Sequence, residues 1–428
     1  MNPILPPFRY LCDVEARVWE DGRVYVYGTC DTPGDTQYGS HIYRAYSSAD
    51  LVNWSDHGII LSSSEIHAST DRRLFAPDCI ENNGLYYLFY CTDDKREGVA
   101  RSSSPSGPFE QATGVQGADG DGIDPAVLID DDGAAYYYWG QFDLKGARML
   151  PELNSIDEST VETLLTESVL GFHEGASIRK RNGVYYLTYT DISRDRATCL
   201  SYATSRSPLG PYEKQGTIID NSGCDPGTWN NHGSIQEVHG TWYVFYHRSS
   251  QASRYNRRLC IEPIHFDDNG MIAEVEMTTQ GPGQPIPAKQ RLPAFRACKL
   301  SGSVRANTAW ASGKTIDALT HIESSDSAAY KYIDFADAGN SVSVVASSAT
   351  QGGFVDFRVD EPDGRVIATC EVKATGSWST WQDFEGGVTE KIEGIRALHL
   401  SFRGGRGRLM DLASFQFFEG SPARSGSA

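Results

Sequence analysis

The heptapeptide GLYYLFY at residues 84 to 90 is one of five short aromatic strands in the first 250 residues. Each strand begins with a glycine and follows a short apolar run and a polar turn. The other four read GRVYVY (22–27), GAAYYYW (133–139), GVYYLTY (183–189) and GTWYVFY (240–246). Their glycines recur every 49 to 62 residues with no helical period between them, which is typical of a radial β architecture. The pattern predicts an all-β fold that begins with a five-bladed β-propeller.

A single acid or histidine precedes each of these glycines by six to nine residues. The five residues are Asp13, Asp78, Asp124, Glu174 and His232. In a propeller the first strand of each blade lines the axis, so residues at equivalent positions converge there. Several buried like charges cost free energy and shift each other's pKa values, which is typical of catalytic sites. The alternative is that one or two of the acids only cap turns, and for Asp78 we favour an axial hydrogen-bond network over catalysis.

Composition limits the choice of partners. The 428 residues are 39% apolar, enough for a large core and two domains. A net charge of -18 argues against nucleic acid and anionic membranes, and favours neutral or cationic small substrates. No apolar stretch reaches membrane-spanning length.

The cysteines and the first residues predict a cytoplasmic location. The nine cysteines are an odd number without a CxxC pair, and most lie in apolar strands, where free cysteine behaves as a small hydrophobic residue. The opening MNPILPPFRYLCD lacks the charged and apolar regions of a signal peptide.

Several motifs in order carry a resemblance to a known family. They read DVEARVWEDGRVYVYG, GIDPAVLIDDDG, HEGASIRKRNGVYYLTYT, NNHGSIQEVHGTWYVFYHR and RRLCIEPIHFDDNGMIAEVEMTTQG. Over residues 1 to 285 the chain resembles a family 43 glycoside hydrolase. The resemblance implies a five-bladed propeller that hydrolyses an oligosaccharide with inversion. It also implies roles for three acids: Asp13 as general base, Asp124 as modulator of its partner's pKa, and Glu174 as general acid.

The chemistry of glycoside cleavage agrees with these roles. An inverting enzyme needs one protonated and one ionised carboxyl, with room for a water molecule between base and sugar. Side chains on first strands of different blades can face each other at that separation, whereas adjacent residues of one strand cannot.

Further residues are candidates for substrate and ion binding. Arg257 is the candidate for binding sugar hydroxyls or the base, with a plain surface charge as the alternative. Phe75 and Trp139 are candidates for an apolar wall against the sugar, and inter-blade packing is the alternative for both. No cofactor is required for the chemistry. His232 matches a family histidine that lies beside a calcium or sodium ion, which implies a structural calcium bound largely through water.

The sequence changes character after the propeller. Residues 286–295, in the Pro- and Gly-rich stretch GPGQPIPAKQRLPAF, read as a linker. Residues 296–420 alternate like a β-sandwich of jelly-roll type and resemble a family 6 carbohydrate-binding module. Trp378 matches one half of that family's aromatic clamp, but His321 stands at the other half and Asp411 replaces an asparagine. We therefore favour a structural role over sugar binding, and expect residues 421–428 to be a disordered tail.

These observations predict an inverting exo-glycosidase that degrades hemicellulose. It would remove terminal α-L-arabinofuranosyl or β-D-xylosyl residues from plant-type oligosaccharides. The alternatives are an exo-galactosidase acting on galactan fragments and a propeller that binds glycans without cleaving them. The sequence gives no indication of the oligomeric state.

Overall fold

The first domain consists of five antiparallel sheets. The computed structural model describes residues 1–66, 72–118 and 122–420, and the predicted tail at 421–428 lies outside them. Blades one to three contain β1 (Leu11–Val18), β2 (Val24–Cys30), β3 (Ile42–Ser48), β4 (Trp54–Ser62); β5 (Leu74–Asn82), β6 (Leu85–Thr92), β7 (Glu97–Ser102), β8 (Glu110–Gly114); β9 (Ala126–Ile129), β10 (Ala135–Trp139), β11 (Asp143–Arg148), β12 (Glu162–Thr166). Blades four and five contain β13 (Phe172–Arg181), β14 (Val184–Asp191), β15 (Cys199–Ser205), β16 (Glu213–Asp220); β17 (Ser234–Val238), β18 (Thr241–Ser250), β19 (Ser253–Ile264).

The sheets form a closed ring. The first strand of each blade contacts the first strand of the next, from β1 through β5, β9 and β13 to β17, and β17 contacts β1 again. The predicted five-bladed propeller is therefore confirmed, and the first strands surround its axis.

The N-terminal segment closes the ring along the fifth blade, which has three strands of its own. The Ile4 amide donates to the Leu259 carbonyl at 2.9 Å. The buried side chain of Asn2 donates to the Ile261 carbonyl at 3.1 Å and to Glu262 Oε1 at 2.9 Å. The two ends of the propeller are thus joined by hydrogen bonds within one blade.

The repeated glycine turns the chain between the first and second strand of every blade. The φ angles of Gly22, Gly84, Gly133, Gly183 and Gly240 are +73°, +80°, +81°, +72° and +81°. A Cβ at any of them would meet no atom within 4 Å. The left-handed backbone, and not a lack of space, therefore requires glycine at this place in the repeat.

Aromatic and aliphatic side chains of the repeated strands fill the space between blades. One such cluster includes Ile80 and Phe89 of the second blade and Val127, Tyr137 and Trp139 of the third. A single blade cannot bury its own apolar faces. Each blade therefore packs against its neighbours in the ring of five.

The second domain is a sandwich of two sheets. The first sheet contains β20 (Ile286–Pro287), β22 (Lys299–Ser301), β25 (Ser327–Asp334), β27 (Gly353–Val359), β28 (Val366–Val372) and β30 (Ile395–Gly404). The second contains β21 (Leu292–Pro293), β23 (Arg305–Ala311), β24 (Lys314–Ile322), β26 (Ser341–Ser348), β29 (Ser377–Gly387) and β31 (Met410–Phe418). The predicted β-sandwich is present.

Residues 286–295 are not a free linker. β20 pairs with β25 in one sheet, and β21 pairs with β31 in the other. Main-chain hydrogen bonding by this proline-rich stretch at two sheet edges explains the difference from the prediction. The sandwich therefore begins about ten residues earlier than the sequence indicated.

The two domains share a buried interface. The Gln251 amide at the tip of the β18–β19 hairpin donates to the Ala306 carbonyl of β23 at 2.7 Å. Farther along β19, the Arg258 guanidinium lies 3.2 Å from the Asp317 carboxylate of β24. Its other terminal nitrogen donates to the Tyr10 hydroxyl at 2.9 Å. The sandwich is thus attached directly to the fifth blade.

Helices are few and short. The described residues contain two α-helical turns, α1 (Ser63–Ile66) and α2 (Glu167–Leu170), and two 3₁₀ turns at Glu158–Thr160 and Ala294–Arg296. Among the described residues, none of these helices has the length and apolar content that crossing a membrane requires.

Replacing Asp317 tests how much the interface stabilises the protein. The side chains of Arg258 and Asp317 are 4% and 7% exposed. Asp317→Ala leaves the guanidinium buried without its carboxylate, so we expect the free energy of unfolding in urea to fall by about 3–5 kcal/mol. The double variant Arg258→Met/Asp317→Leu should recover much of that loss.

The control is an exposed ion pair of the same domain. Lys289 and Asp337 are 53% and 85% exposed, so Asp337→Ala should change the free energy of unfolding by less than about 1 kcal/mol. Equal effects of Asp317→Ala and Asp337→Ala would contradict a stabilising interface.

Candidate active site

A small pocket lies where the first strands of the five blades begin. Its volume is about 150 Å³. It is lined by Asp13, Tyr38, Phe75, Ile123, Asp124, Gln141, Glu174, Asn230, His232 and Arg257. The structure thus brings together four of the five ring residues and two of the three candidate substrate contacts.

Irregularities in the strands aim the acids into this pocket. The pairing of β1 with β2 shifts register between Cys12 and Glu15, and the pairing of β13 with β14 shifts on both sides of Glu174. Asp13 and Asp124 have φ angles of +49° and +59°, a region that non-glycine residues rarely adopt. β-Bulges and such backbone conformations are common at catalytic sites, where they redirect side chains.

Asp13 lies against a buried cation. Arg257 donates from Nη1 to Asp13 Oδ1 at 2.7 Å, and Nδ1 of His247 and of His232 lie 3.5 and 3.8 Å from the same oxygen. Burial alone would raise the pKa of Asp13. The charge of Arg257, with smaller contributions from the histidines, outweighs burial and lowers that pKa to about 2. Asp13 is therefore ionised throughout the neutral range.

Asp31 positions Arg257 and was not predicted from the sequence. This buried carboxylate accepts hydrogen bonds from the Arg257 amide at 3.0 Å, from Nε at 2.9 Å and from Nη2 at 2.9 Å. It also accepts from the Gly39 amide at 3.1 Å, which fixes the loop that carries Tyr38. The two partners are separated by 226 residues, and Asp31 stands in a polar turn, so no spacing pattern connects them.

Asp124 has the opposite electrostatic environment. Burial raises its pKa well above the ordinary value, and the negative charges of Glu174 and Asp13 raise it further. Its amide donates to Cys91 Sγ at 3.3 Å. After burial, the charge of Glu174 is the largest cause of this pKa shift. The environment of Asp124 thus favours its protonated form.

Glu174 is held by two side-chain amides. Gln141 Nε2 donates to Oε2 at 2.9 Å and Asn230 Nδ2 donates to Oε1 at 3.3 Å. The next residue, Gly175, has a φ angle of +71°, and a Cβ there would lie 2.8 Å from the His232 ring. Glycine therefore lets the imidazole pack directly against the strand that carries Glu174.

His232 lies among the acids in its neutral form. Its Nδ1 is 3.8 Å from Asp13 and 3.9 Å from Asp124. Burial lowers its pKa, and the nearby carboxylates only partly oppose this. A neutral imidazole beside carboxylates can lie next to a cation.

The surroundings of His232 contain unpaired polar atoms. Among the described residues, the buried Oδ1 atoms of Asn230 and Asn231 and Nδ1 of His247 have no hydrogen-bond partner. Oxygen donors of this kind suit a hydrated calcium ion. Cys12, Asp13 and His247 also lie within metal-binding distance of one another, but Arg257 already neutralises Asp13 there. The donors therefore fit an ion bound mainly through water beside His232.

One of the three candidate substrate contacts, Trp139, lies outside the pocket. Trp139 is 3% exposed and belongs to the core between the second and third blades, with its ring centroid 5.6 Å from that of Tyr137. Its predicted place in the sugar-binding wall was wrong, because its strand turns this side chain towards the neighbouring blade. Phe75 does line the pocket. Tyr38, which the sequence did not single out, lines it too and stacks 4.7 Å from the Arg257 guanidinium carbon.

Asp78 holds an axial network. It accepts two hydrogen bonds from Arg17 Nη2, at 2.8 and 2.7 Å, and one from the Val127 amide at 2.7 Å. It thereby connects three blades below the pocket, in agreement with the structural role favoured from the sequence.

The sequence profile of the glycosyl hydrolases family 43 matches residues 2–272. The chain belongs to this family. It is therefore a glycoside hydrolase, and the resemblance inferred from the motifs is confirmed. The profile of carbohydrate binding module family 6 matches residues 293–419 and confirms the second resemblance.

Known proteins share both domains. A xylosidase/arabinosidase of Thermoclostridium stercorarium is 29% identical over 465 residues, covering 94% of this chain and 96% of the relative. The structure of a Bacillus subtilis arabinoxylan arabinofuranohydrolase in complex with cellotetraose covers 98% of this chain and 97% of its own, with a TM-score of 0.55. At 24% identity, that likeness shows the fold alone.

A third relative covers the propeller. It is a β-xylosidase/α-arabinofuranosidase from a compost microbial metagenome, solved with xylotriose in a calcium-free form. It is 28% identical, with a TM-score of 0.57, and covers 64% of this chain and 97% of its own.

At the predicted sugar clamp of the sandwich, an arginine side chain covers the Trp378 ring. The Arg408 guanidinium carbon lies 3.8 Å from the centroid of the Trp378 ring. The same guanidinium forms an ion pair with Asp411, whose Oδ1 also accepts from the His321 amide at 3.2 Å. An arginine thus covers the indole on which a sugar would stack.

Replacing Arg257 tests its effect on Asp13. In Arg257→Met, the largest effect that opposes burial is removed, so the pKa of Asp13 should rise above the ordinary value of about 3.9. The acidic limb of kcat/KM should move from about pH 2 to above about pH 4. In the role of general base that the family resemblance implies, Asp13 acts in its ionised form, so activity should be lost as the pH falls through this pKa.

The matched control is Arg257→Lys, which keeps the charge but loses the forked geometry. It should keep the acidic limb low while lowering kcat, and circular dichroism at each pH would verify folding. An acidic limb in Arg257→Met that does not move would contradict the assignment.

Proposed function

We propose that the protein is an inverting exo-glycosidase that removes terminal α-L-arabinofuranosyl or β-D-xylosyl residues from plant-type oligosaccharides. The observation that carries the proposal is one small pocket in which Arg257 keeps Asp13 ionised, while burial and the charge of Glu174 raise the pKa of Asp124. Acid–base cleavage of a glycoside requires one protonated and one ionised carboxyl group, and different electrostatic environments within one pocket make this possible.

In the proposed mechanism Glu174 protonates the leaving oxygen. Asp13 removes a proton from the attacking water, whose oxygen bonds to the anomeric carbon from the face opposite the leaving group while the glycosidic C–O bond breaks. Asp124 has the modulating role that the family resemblance implies, and its electrostatic interaction with Glu174 supports this role. The guanidinium of Arg257 keeps Asp13 ionised and in place.

The size of the pocket supports exo-action. At about 150 Å³ it is smaller than the roughly 300–1,000 Å³ of drug-sized ligand sites, so it suits one terminal sugar unit. The choice of sugar rests on the relatives, which are named for xylosidase and arabinosidase activities. Pockets for furanose and pyranose sugars can differ by only one or two hydrogen bonds, so we expect activity on both.

Substitution of the acids tests the mechanism. Glu174→Gln should lower kcat on oligosaccharides by about 10²–10⁴-fold, with much less loss on aryl glycosides, whose leaving group needs no proton. Asp13→Asn should lose activity on both kinds of substrate, because water activation is always required. Rates are measured with arabinofuranosides, xylosides and galactosides.

The outcomes separate the alternatives. Turnover of galactosides alone would favour the galactosidase. Binding of oligosaccharides without any turnover by the wild-type protein would favour a glycan-binding propeller. An Asp13→Asn variant with nearly normal rates would contradict the role of Asp13.

We propose a calcium ion beside His232. The neutral imidazole and the unpaired amide oxygens of Asn230 and Asn231 support it. When bound, the ion would supply positive charge among the carboxylates. His232 would orient it, and the acids would keep their relative positions.

Chelation tests the ion. Removal of calcium should lower both the melting temperature and kcat, and added calcium should restore both. The variant His232→Ala should lose most of this response. Unchanged melting and activity after exhaustive chelation would contradict the proposal.

For the sandwich we propose a structural role. Coverage of Trp378 by Arg408 and the buried contacts with the fifth blade support it.

For location we propose the cytoplasm, supported by nine buried cysteines that are all free in the described residues. Cell fractionation tests the location.

A further inference from the structure

A fully buried histidine connects the surroundings of the two proposed catalytic carboxyls. His247 is on β18, and its side chain is 0% exposed. Its Nδ1 lies 3.5 Å from Asp13 Oδ1, and its Nε2 lies 2.9 Å from the Asn230 carbonyl oxygen. The Asn230 side chain in turn donates to Glu174 Oε1 at 3.3 Å. The imidazole is thus close to the proposed base and connected with the proposed acid through one residue.

The contact with the Asn230 carbonyl decides which ring nitrogen carries the proton. A carbonyl oxygen can only accept, so Nε2 must be the N–H. Burial and, after it, the charge of Arg257 lower the pKa of His247 to about 3, so the ring is neutral and has one proton. Nδ1 is therefore unprotonated and cannot donate to Asp13. The residue that His247 holds by a hydrogen bond is Asn230.

Two donors converge on the Asn230 carbonyl. Besides Nε2 of His247, Nδ2 of Asn221 donates to it at 2.8 Å, and the same amide group donates to the His247 carbonyl at 2.9 Å. Asn221 is also 0% exposed. A carbonyl oxygen has two lone pairs, and both are used here. The main chain at Asn230 is therefore fixed to β18, and this sets the position from which its side chain donates to Glu174.

The following residue is held by the fourth blade. The Asn231 amide donates to the Ala197 carbonyl at 2.7 Å, and the Asn231 carbonyl accepts from Thr190 Oγ1 at 2.5 Å. Thr190 is the β14 partner of Glu174 in the antiparallel pairing of β13 and β14. The segment is thus attached to the sheet that carries Glu174 on one side and to β18 on the other. The attachment to β18 is the one that depends on the imidazole.

Core packing alone does not explain a histidine at this position. A leucine would fill much of the same space without burying polar atoms, which cost free energy unless they are hydrogen-bonded. Among the described residues, Nδ1 of His247 has no hydrogen-bond partner, so half of the polar capacity of the ring is unused. The hydrogen bond from Nε2 is therefore the contribution that distinguishes this residue from an apolar one.

We propose that His247, together with Asn221, is a positioning residue for the reaction. Through the Asn230 carbonyl, the two side chains hold in place the amide that orients the carboxyl of Glu174 towards the leaving oxygen. The inference rests on the proposed function, in which Glu174 is the general acid.

The test compares two substrates that share a terminal sugar and differ in the leaving group. One is a disaccharide with terminal xylose or arabinofuranose, whichever the wild-type protein turns over faster, and its leaving oxygen needs a proton. The other is the dinitrophenyl glycoside, whose leaving group needs none. His247→Leu should lower kcat on the disaccharide about tenfold with little change in KM, because a small displacement of a catalytic group has effects of this order. The loss on the dinitrophenyl glycoside should be less than about twofold.

Three further variants separate positioning from packing. His247→Gln places an amide donor near the position of Nε2, so it should retain most of the activity on the disaccharide. Asn221→Ala removes the second donor and should act in the same direction as His247→Leu, so the test does not depend on the folding of one variant. When Asn230→Ala has already removed the amide, adding His247→Leu should cause little further loss on the disaccharide.

The matched control is His399→Leu in β30 of the sandwich, where the histidine is 7% exposed. It should leave the rates on both substrates unchanged. Calcium is present in every assay, which keeps the proposed ion constant. The positioning role would be overturned by equal losses on the two substrates in His247→Leu and Asn221→Ala, by no loss on either, or by a His247→Gln variant as slow as His247→Leu. Absence of turnover of both substrates by the wild-type protein would instead contradict the proposed function, so the two failures are distinguishable.

Discussion

The site depends on one buried cation shared by two carboxylates. Arg257 contacts Asp13 through Nη1 and Asp31 through Nε and Nη2. Neither carboxylate is well solvated, so removal of the guanidinium would leave two buried negative charges. Buried ion pairs are rarely the most stabilising choice, and a well-packed apolar core would serve stability equally well. The arrangement is therefore best explained by the proposed role of Asp13, which requires an ionised carboxylate in the pocket.

The position of that cation also divides the pocket into two electrostatic halves. Near Arg257 the pKa of Asp13 is lowered to about 2, whereas burial and neighbouring acids raise the pKa of Asp124. The pKa values of two aspartates in one site are thus shifted in opposite directions, because their surroundings differ. A propeller suits this division, because each blade delivers one side chain to the axis from a different direction and with its own supporting residues.

Sequence reasoning succeeded where a feature repeats locally and failed where it depends on distant contacts. The glycine of each blade is required by a turn that recurs five times, so the strands and the ring residues could be predicted. Asp31 is 226 residues from Arg257, and Trp139 faces a neighbouring blade. No repeat in the sequence marks either contact. The stretch 286–295 read as a linker because main-chain pairing at a sheet edge leaves little trace in side chains.

The alternation of one strand explains how the sandwich can matter to a pocket that it does not enter. Successive residues of a strand point to opposite faces. In β19, Arg257 faces Asp13 and the next residue, Arg258, faces Asp317 of the sandwich. The same hairpin is attached at its tip by the hydrogen bond from Gln251 to Ala306. A domain whose sugar clamp is filled by its own arginine therefore still restrains the strand that keeps Asp13 ionised.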